Sequence, residues 1–218
     1  MTTAPKRLLY FADPMCSWCW GFTSVIEQIR KEFGEGAQST EEGAVLELIT
    51  GGLRPGAAEP LDPGLRQEIL HHWQAVQRHT GQAFNFDNAL PAGFVYDTEP
   101  ASRAVVLIKQ QCPASVLAFF SSVQEAFYVH KQDVTREAVL SELAAPYLDA
   151  QEFARCFHSP ALTEATWQQF ELSRRYGVRG FPTLLLDNGA ETHLICHGYL
   201  PYSDVKSRLD SCLAIESY

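Results

Sequence analysis

Two kinds of apolar pattern alternate along the chain. Arg7–Asp13 carries a continuous apolar run, Leu8 to Ala12, of the sort a buried strand shows. Trp18–Phe33 then places Val25, Ile26 and Ile29 on one helical face. The stretch from Phe33 to Gly43, rich in Gly, Glu and Ser, reads as a loop. Val45–Thr50 reads as a second strand ending at Gly51-Gly52. Strand, helix and strand over this length predict a parallel pair joined by a right-handed crossover.

The middle of the chain is helical in pattern from Asp62 to about Tyr176. Asp62-Pro63 supplies an N-cap and a first-turn proline, Leu65, Ile69, Trp73 and Val76 follow at helical spacing, and Gly81 closes the segment. Further helices are predicted from near Thr98 (Ala101, Val105, Ile108), from Ala114 to about Val129 (Phe119, Phe120, Val123, Phe127), and after Thr135 (Val139, Leu140, Leu143). Asp149 and Glu152 have the spacing of a capping box, and a last helix of the block spans Leu162 to Tyr176 before Gly177. Strand signals return at Thr183–Leu186. Asn188-Gly189 then favours a tight hairpin turn, His193–Cys196 returns, and a final helix runs from about Pro201 to Leu213.

The order is therefore βαβ, a block of helices, then ββα. It predicts an α/β protein with one mixed sheet, in which residues 1–52 and 163–218 form the sheet domain and 53–162 an inserted all-helical domain.

Composition narrows the partners more than the fold. With 46% hydrophobic and 20% charged residues, the 218-residue chain can bury a sizeable core. A net charge of −9 argues against nucleic acid or an anionic membrane as partner, since phosphate binding needs a basic surface. No apolar run exceeds five residues, too short to span a bilayer. Met1 to Asp13 lacks both the apolar length and the small-residue cleavage site of a signal peptide, which predicts a cytoplasmic protein whose thiols are kept reduced.

The candidate chemistry lies where the first strand gives way to a helix, at Cys16-Ser17-Trp18-Cys19. Two cysteines at this spacing on a helix start bring their sulfurs close enough to bond and part again. The unpaired N–H groups and partial positive charge of a helix's first turn favour a thiolate there. A thiolate is the species that attacks disulfides. Cys16, the more exposed, is the expected nucleophile, and Cys19 the thiol that resolves the mixed disulfide. The bland alternatives are a zinc half-site and a pair of inert thiols. Zinc would need a second ligand pair, and Cys196-His197 lacks the usual spacing. Cys112, Cys156, Cys196 and Cys212 are scattered and read as buried or idle thiols. His71, His72 and His79 bring no carboxylate or cysteine with them and read as surface or partly buried residues, so no metal site is expected.

The element order, Cys16-Ser17-Trp18-Cys19 and Gly180-Phe181-Pro182-Thr183 together resemble the DsbA family of thioredoxin-fold proteins. The run Asp13 to Phe22 is similar to its cytoplasmic FrnE-like subgroup. The resemblance implies a thiol–disulfide oxidoreductase or isomerase with a thioredoxin-like fold and a helical insertion. It implies a cis Phe181–Pro182 bond facing the sulfurs, with Phe181 presenting its backbone to an extended substrate. Strongly oxidising members carry a histidine between the cysteines. Ser17-Trp18 has none, so a less oxidising pair is expected. Trp18 is the expected apolar substrate contact, while Met15, Trp20 and Phe22 read mostly as core. Asp13 is either a proton acceptor for Cys19 or a strand-end aspartate.

The expected redox group is the Cys16–Cys19 disulfide itself, with no other cofactor. The expected partners are a disulfide- or thiol-containing protein or small molecule and a further thiol redox partner. Two rival functions stand beside this one: a glutathione-dependent transferase or isomerase on the same scaffold, and a non-catalytic binding or holdase module.

Overall fold

A computed structural model describes residues 6–33 and 44–215. Most of the segment read as the first loop, 34–43, lies outside the described residues. Strand β1 (Arg7–Ala12) is followed by helices α1 (Ser17–Gly21) and α2 (Thr23–Phe33) and by β2 (Val45–Thr50). The helical block follows: α3 (Pro63–Thr80), α4 (Glu99–Gln111), a 3-10 turn (Pro113–Ser115) into α5 (Val116–Tyr128), α6 (Glu137–Ala144), α7 (Ala150–Phe157) and α8 (Pro160–Arg175). The chain returns to the sheet with β3 (Thr183–Asp187) and β4 (Thr192–His197) and ends on α9 (Tyr202–Ile215).

The sheet order is β2-β1-β3-β4, with β1 parallel to β2 and antiparallel to β3, and β3 antiparallel to β4. This is the mixed α/β, thioredoxin-like architecture expected from the element order. Strand alternation divides the apolar side chains between two faces. Leu8, Tyr10, Ala12, Leu184 and Leu186 join the main core, shared with α1, α2 and the helical block. Leu9, Phe11, Ile49 and Leu185 form a second core beneath Leu172, Tyr176 and Val178. Both faces are thus covered, which explains why β1 and β3 read as unbroken apolar runs. Helix α8 crosses the boundary drawn between residues 162 and 163, because Ser159 caps it by accepting from the Leu162 N–H.

Three local readings differ from the observed chain. The helix expected over Trp18–Phe33 is broken at Phe22, whose N–H bonds both the Trp18 and Cys19 carbonyls. Gly21 lies so close to α3 that a Cβ there would sit 2.7 Å from Val76. The interruption thus falls where the chain packs closely on α3. The hairpin expected to turn tightly at Asn188-Gly189 instead spans residues 188–191 between the paired Asp187 and Thr192. Side-chain caps from Asp187 to the Gly189 N–H and from Asn188 to the Glu191 N–H hold the wider turn. Asp149 does cap α7, but Glu152 pairs with Arg155 instead of closing the box.

The cap on α3 is realised on both ends. Asp62 accepts from the Gly64 and Leu65 N–H groups, and Gly81 takes the left-handed conformation with φ 72°. Asp62→Ala should destabilise the protein by about 1 kcal/mol, measurable as a lowered denaturation midpoint at unchanged slope.

Candidate active site: the paired thiols and the loops around them

Cys16 is the N-cap residue of α1. Its carbonyl accepts the first helical bond, from the Trp20 N–H at 3.1 Å, while its own N–H donates to the Asp13 carbonyl at 3.0 Å. The backbone therefore turns from strand to helix at the first cysteine. Cys16 is 6% exposed and Cys19 is fully buried, and both are free thiols. Burial pushes the Cys19 thiol well above its ordinary range, and the neighbouring Cys16 adds to the shift. A desolvated thiol resists losing its proton, so Cys19 is a neutral thiol at physiological pH.

The loop before β3 closes over the pair from the far end of the sequence. The Phe181–Pro182 bond is cis, and the Cys16 thiol lies 3.5 Å from the Phe181 carbonyl oxygen, to which it donates. Pro182 is buried, and its carbonyl accepts from the Gly198 N–H at 2.8 Å, which ties the loop to the end of β4. The Phe181 ring packs against the backbone at Gly51. A Cβ built at Gly51 would fall 2.0 Å from that ring, and one at Gly52 would fall 2.8 Å from Phe170. Gly51, legible in sequence only as the end of a strand, is therefore the seat of the loop that faces Cys16, while Gly52 makes room for α8.

Asp13 is fully buried and joins the two loops. One oxygen accepts from the Met15 N–H at 2.8 Å and the other from the Leu53 N–H at 2.7 Å. Burial pushes its carboxyl up to about 6, against the pull of those two N–H groups. Its charge also reaches Cys19, whose thiolate it disfavours. Asp13 is thus both a structural link at a strand end and an ionisable group beside the second thiol.

The remaining candidates fall into place around this centre. Trp18 is half-buried, its indole 5.9 Å from the His79 ring and 6.1 Å from Tyr199. Met15 and Phe22 are fully buried, and Trp20 donates its indole N–H to the Ala83 carbonyl at 2.9 Å. His71 and His72 are exposed, and His79, also exposed, bonds the Ala75 carbonyl. Cys196 is buried in the core, and burial holds its thiol up to about 11. Among the described residues, no three His, Cys, Asp or Glu side chains converge as a metal would require.

Two tyrosines near the sulfurs carry no signal that sequence reading could have used. Tyr96 donates its hydroxyl to the Met15 carbonyl, fixing the turn just before Cys16. Tyr10, in the middle of β1, reads from pattern as one more apolar strand residue.

A model of the DSBA-like thioredoxin domain matches residues 7–210. The chain belongs to that family. Within it, the solved structure of a candidate protein disulfide isomerase from Nitrosomonas europaea superposes with a TM-score of 0.88 at 40% identity, over 97% of this chain and 98% of the other. The cytosolic disulfide reductase DsbM from Pseudomonas aeruginosa, solved with GSH, gives a TM-score of 0.72 at 26% identity over 95% of this chain and 99% of that one. The ClpXP adapter protein SpxH of Halalkalibacterium halodurans is 24% identical over 204 residues, 91% of this chain and 64% of the adapter. This DSBA-like chain therefore spans less than two thirds of that adapter's length. Among the described residues no helix is long and apolar enough to cross a membrane.

Proposed function

We propose that this DSBA-like chain is a dithiol–disulfide oxidoreductase in which Cys16 attacks a substrate disulfide and Cys19 resolves the mixed disulfide. The observation that carries this reading is the Cys16 thiol held on the Phe181 carbonyl at 3.5 Å, with Cys19 buried directly behind it. The accessible thiol meets the substrate, and the occluded one reacts only with its neighbour. Pro182 shapes the substrate groove, Phe181 borders it, and Trp18 offers an apolar edge to the incoming chain. The exchange needs no metal or organic cofactor, because the Cys16–Cys19 pair is itself the redox group. The partners are a disulfide- or thiol-bearing protein or small molecule and a second thiol donor. We place the protein in the cytoplasm, in the FrnE-like subgroup, acting in the reducing or isomerising direction.

Equilibration against defined thiol–disulfide buffers, followed by tryptophan fluorescence, tests the reading, since Trp18 and Trp20 flank Cys19. A reversible two-electron transition is expected, with a midpoint more negative than the about −120 mV of the strongly oxidising periplasmic enzyme. Its absence in the unmodified protein would overturn the proposal.

Asp13 is the acceptor for the Cys19 proton in this scheme. Ionised at neutral pH, it can take that proton through a free lone pair while its two N–H bonds stay in place. Its carboxyl titrates at about 6, so it is protonated and unable to accept below that pH. The rate of mixed-disulfide resolution should therefore rise as pH passes upward through about 6. Asp13→Asn should lose that inflection and run roughly ten-fold or more slower at pH 7. An Asp13→Asn profile identical to the unmodified one would leave Asp13 only its structural link.

Two alternatives have specific support. DsbM was solved with GSH, which favours glutathione as the small thiol or as a co-substrate. Undiminished turnover of a glutathione conjugate by Cys19→Ser would favour a transferase over a dithiol mechanism. The similarity to an adapter protein favours a non-catalytic binding module. That reading predicts client binding that survives replacement of both cysteines.

A further inference from the structure

Tyr10 poses a chemical question that the fold alone does not answer. It is wholly buried, with its ring against Phe22 at 5.9 Å and Phe120 at 6.3 Å, on the sheet face beneath α1. Phe22 in turn caps α1 by donating its N–H to the Cys19 carbonyl. In the sheet Tyr10 pairs with Leu184, and Leu184 pairs with Cys196. Among the described residues its hydroxyl meets no hydrogen-bond partner at proper geometry. A buried hydroxyl without a partner costs stability, and phenylalanine would fill the same space without that cost. The ionisable groups that press on the hydroxyl are Cys19, Cys16 and Cys196, with Cys19 foremost.

We propose that the Tyr10 O–H donates a hydrogen bond to the Cys19 sulfur whenever that sulfur carries negative charge. The inference rests on the dithiol mechanism above. In the resolving step Cys19 gives its proton to Asp13 and its sulfur attacks the Cys16 sulfur. The Cys16–Cys19 bond forms, the bond between Cys16 and the substrate sulfur breaks, and the substrate leaves as a thiolate with the electron pair. In the reverse direction Cys19 is expelled as the leaving thiolate. Both passages put charge on a sulfur that has no water around it. A neutral donor fixed in place suits that moment, since it meets the charge on the sulfur without bringing a charge of its own.

Tyr10 keeps its proton throughout. Burial first, and the adjacent thiols after it, hold its hydroxyl well above the ordinary tyrosine range, so it acts as a donor and never as a base. Other titratable groups around the pair are Asp13 from the end of β1, Tyr96, and Tyr128 from α5. Burial pushes both of these phenols up as well. They press on Cys16 and Asp13, which leaves Tyr10 as the phenol beside Cys19.

The bond is made to the thiolate and not to the resting thiol. Tyr10→Phe should therefore slow exchange in both directions while leaving the midpoint potential in place. A purely structural residue would not separate rate from equilibrium in this way. The test uses the reduced protein with Cys112, Cys156 and Cys212 changed to serine, mixed with an aromatic disulfide reagent in stopped flow. The first equivalent of coloured thiol reports attack by Cys16, and the second reports resolution by Cys19.

In Tyr10→Phe the second phase should be roughly ten-fold slower, with its inflection near pH 6 kept in place because that inflection belongs to Asp13, and with the first phase unchanged. Thermal stability should equal or exceed that of the unmodified protein. An unaltered second phase would overturn the proposal. So would a large loss of stability with both phases slowed alike, which would assign the hydroxyl to packing. If the unmodified Tyr10 protein gave no second phase at all, it would be the dithiol mechanism that failed.

Discussion

Cys19→Ser is expected to turn a catalyst into a trap. Cys16 would still attack a substrate disulfide, but the mixed disulfide would wait for an external thiol. The internal attack it replaces benefits from a neighbour already in position, so turnover of a disulfide-containing peptide should fall by on the order of a hundred-fold or more. The mixed disulfide should accumulate as a covalent adduct visible by intact mass. Cys16→Ser should form no adduct and show no redox transition. The asymmetry follows from burial: Cys16 reaches the surface, whereas Cys19 is sealed beneath it. Equal adduct yields from the two variants would contradict that division of labour.

Gly51→Ala should produce the second large effect, through Phe181 and without touching either cysteine. The added methyl would lie 2.0 Å from the Cε1 and Cζ atoms of the Phe181 ring, which must then move. Overpacking of this kind costs about 1–3 kcal/mol, or roughly 2–10 °C in Tm for a chain of this size. The same residue supplies the carbonyl that accepts from Cys16, so the rate of exchange should fall together with stability. Phe181→Ala removes the obstacle. In that background Gly51→Ala should cost almost nothing, and a double-mutant cycle by thermal unfolding would read the coupling directly. Additive losses would show that the ring does not rest on Gly51.

How much of this was legible beforehand depended on the reach of each interaction. Asp62 and Gly81 cap a helix through bonds made within a few residues, and their pattern appears in the chain as written. The runs in β1 and β3 were legible because both faces of the sheet are covered there and their central positions are apolar. The break at Phe22 was not, since it falls beside a contact between Gly21 and α3, a helix remote in the chain. Nor was the widened hairpin, where the Asp187 and Asn188 caps outweighed the local preference of Asn188-Gly189. The site divides in the same way. Cys16 and Cys19 announce themselves by spacing, and Pro182 by its family setting. Gly51 and Tyr96 act on partners remote in the chain and carry no such mark.

By itself, then, the sequence determined which residues could react and in what order the elements would form. Spacing on a helix, strand alternation and end-capping are all short-range physics. Only the tertiary structure decided which thiol is sealed and which carbonyl faces the other. It alone set a carboxyl and a phenol beside the buried sulfur. Those outcomes depend on exclusion of water, and water is excluded by segments that meet only when the whole chain has folded.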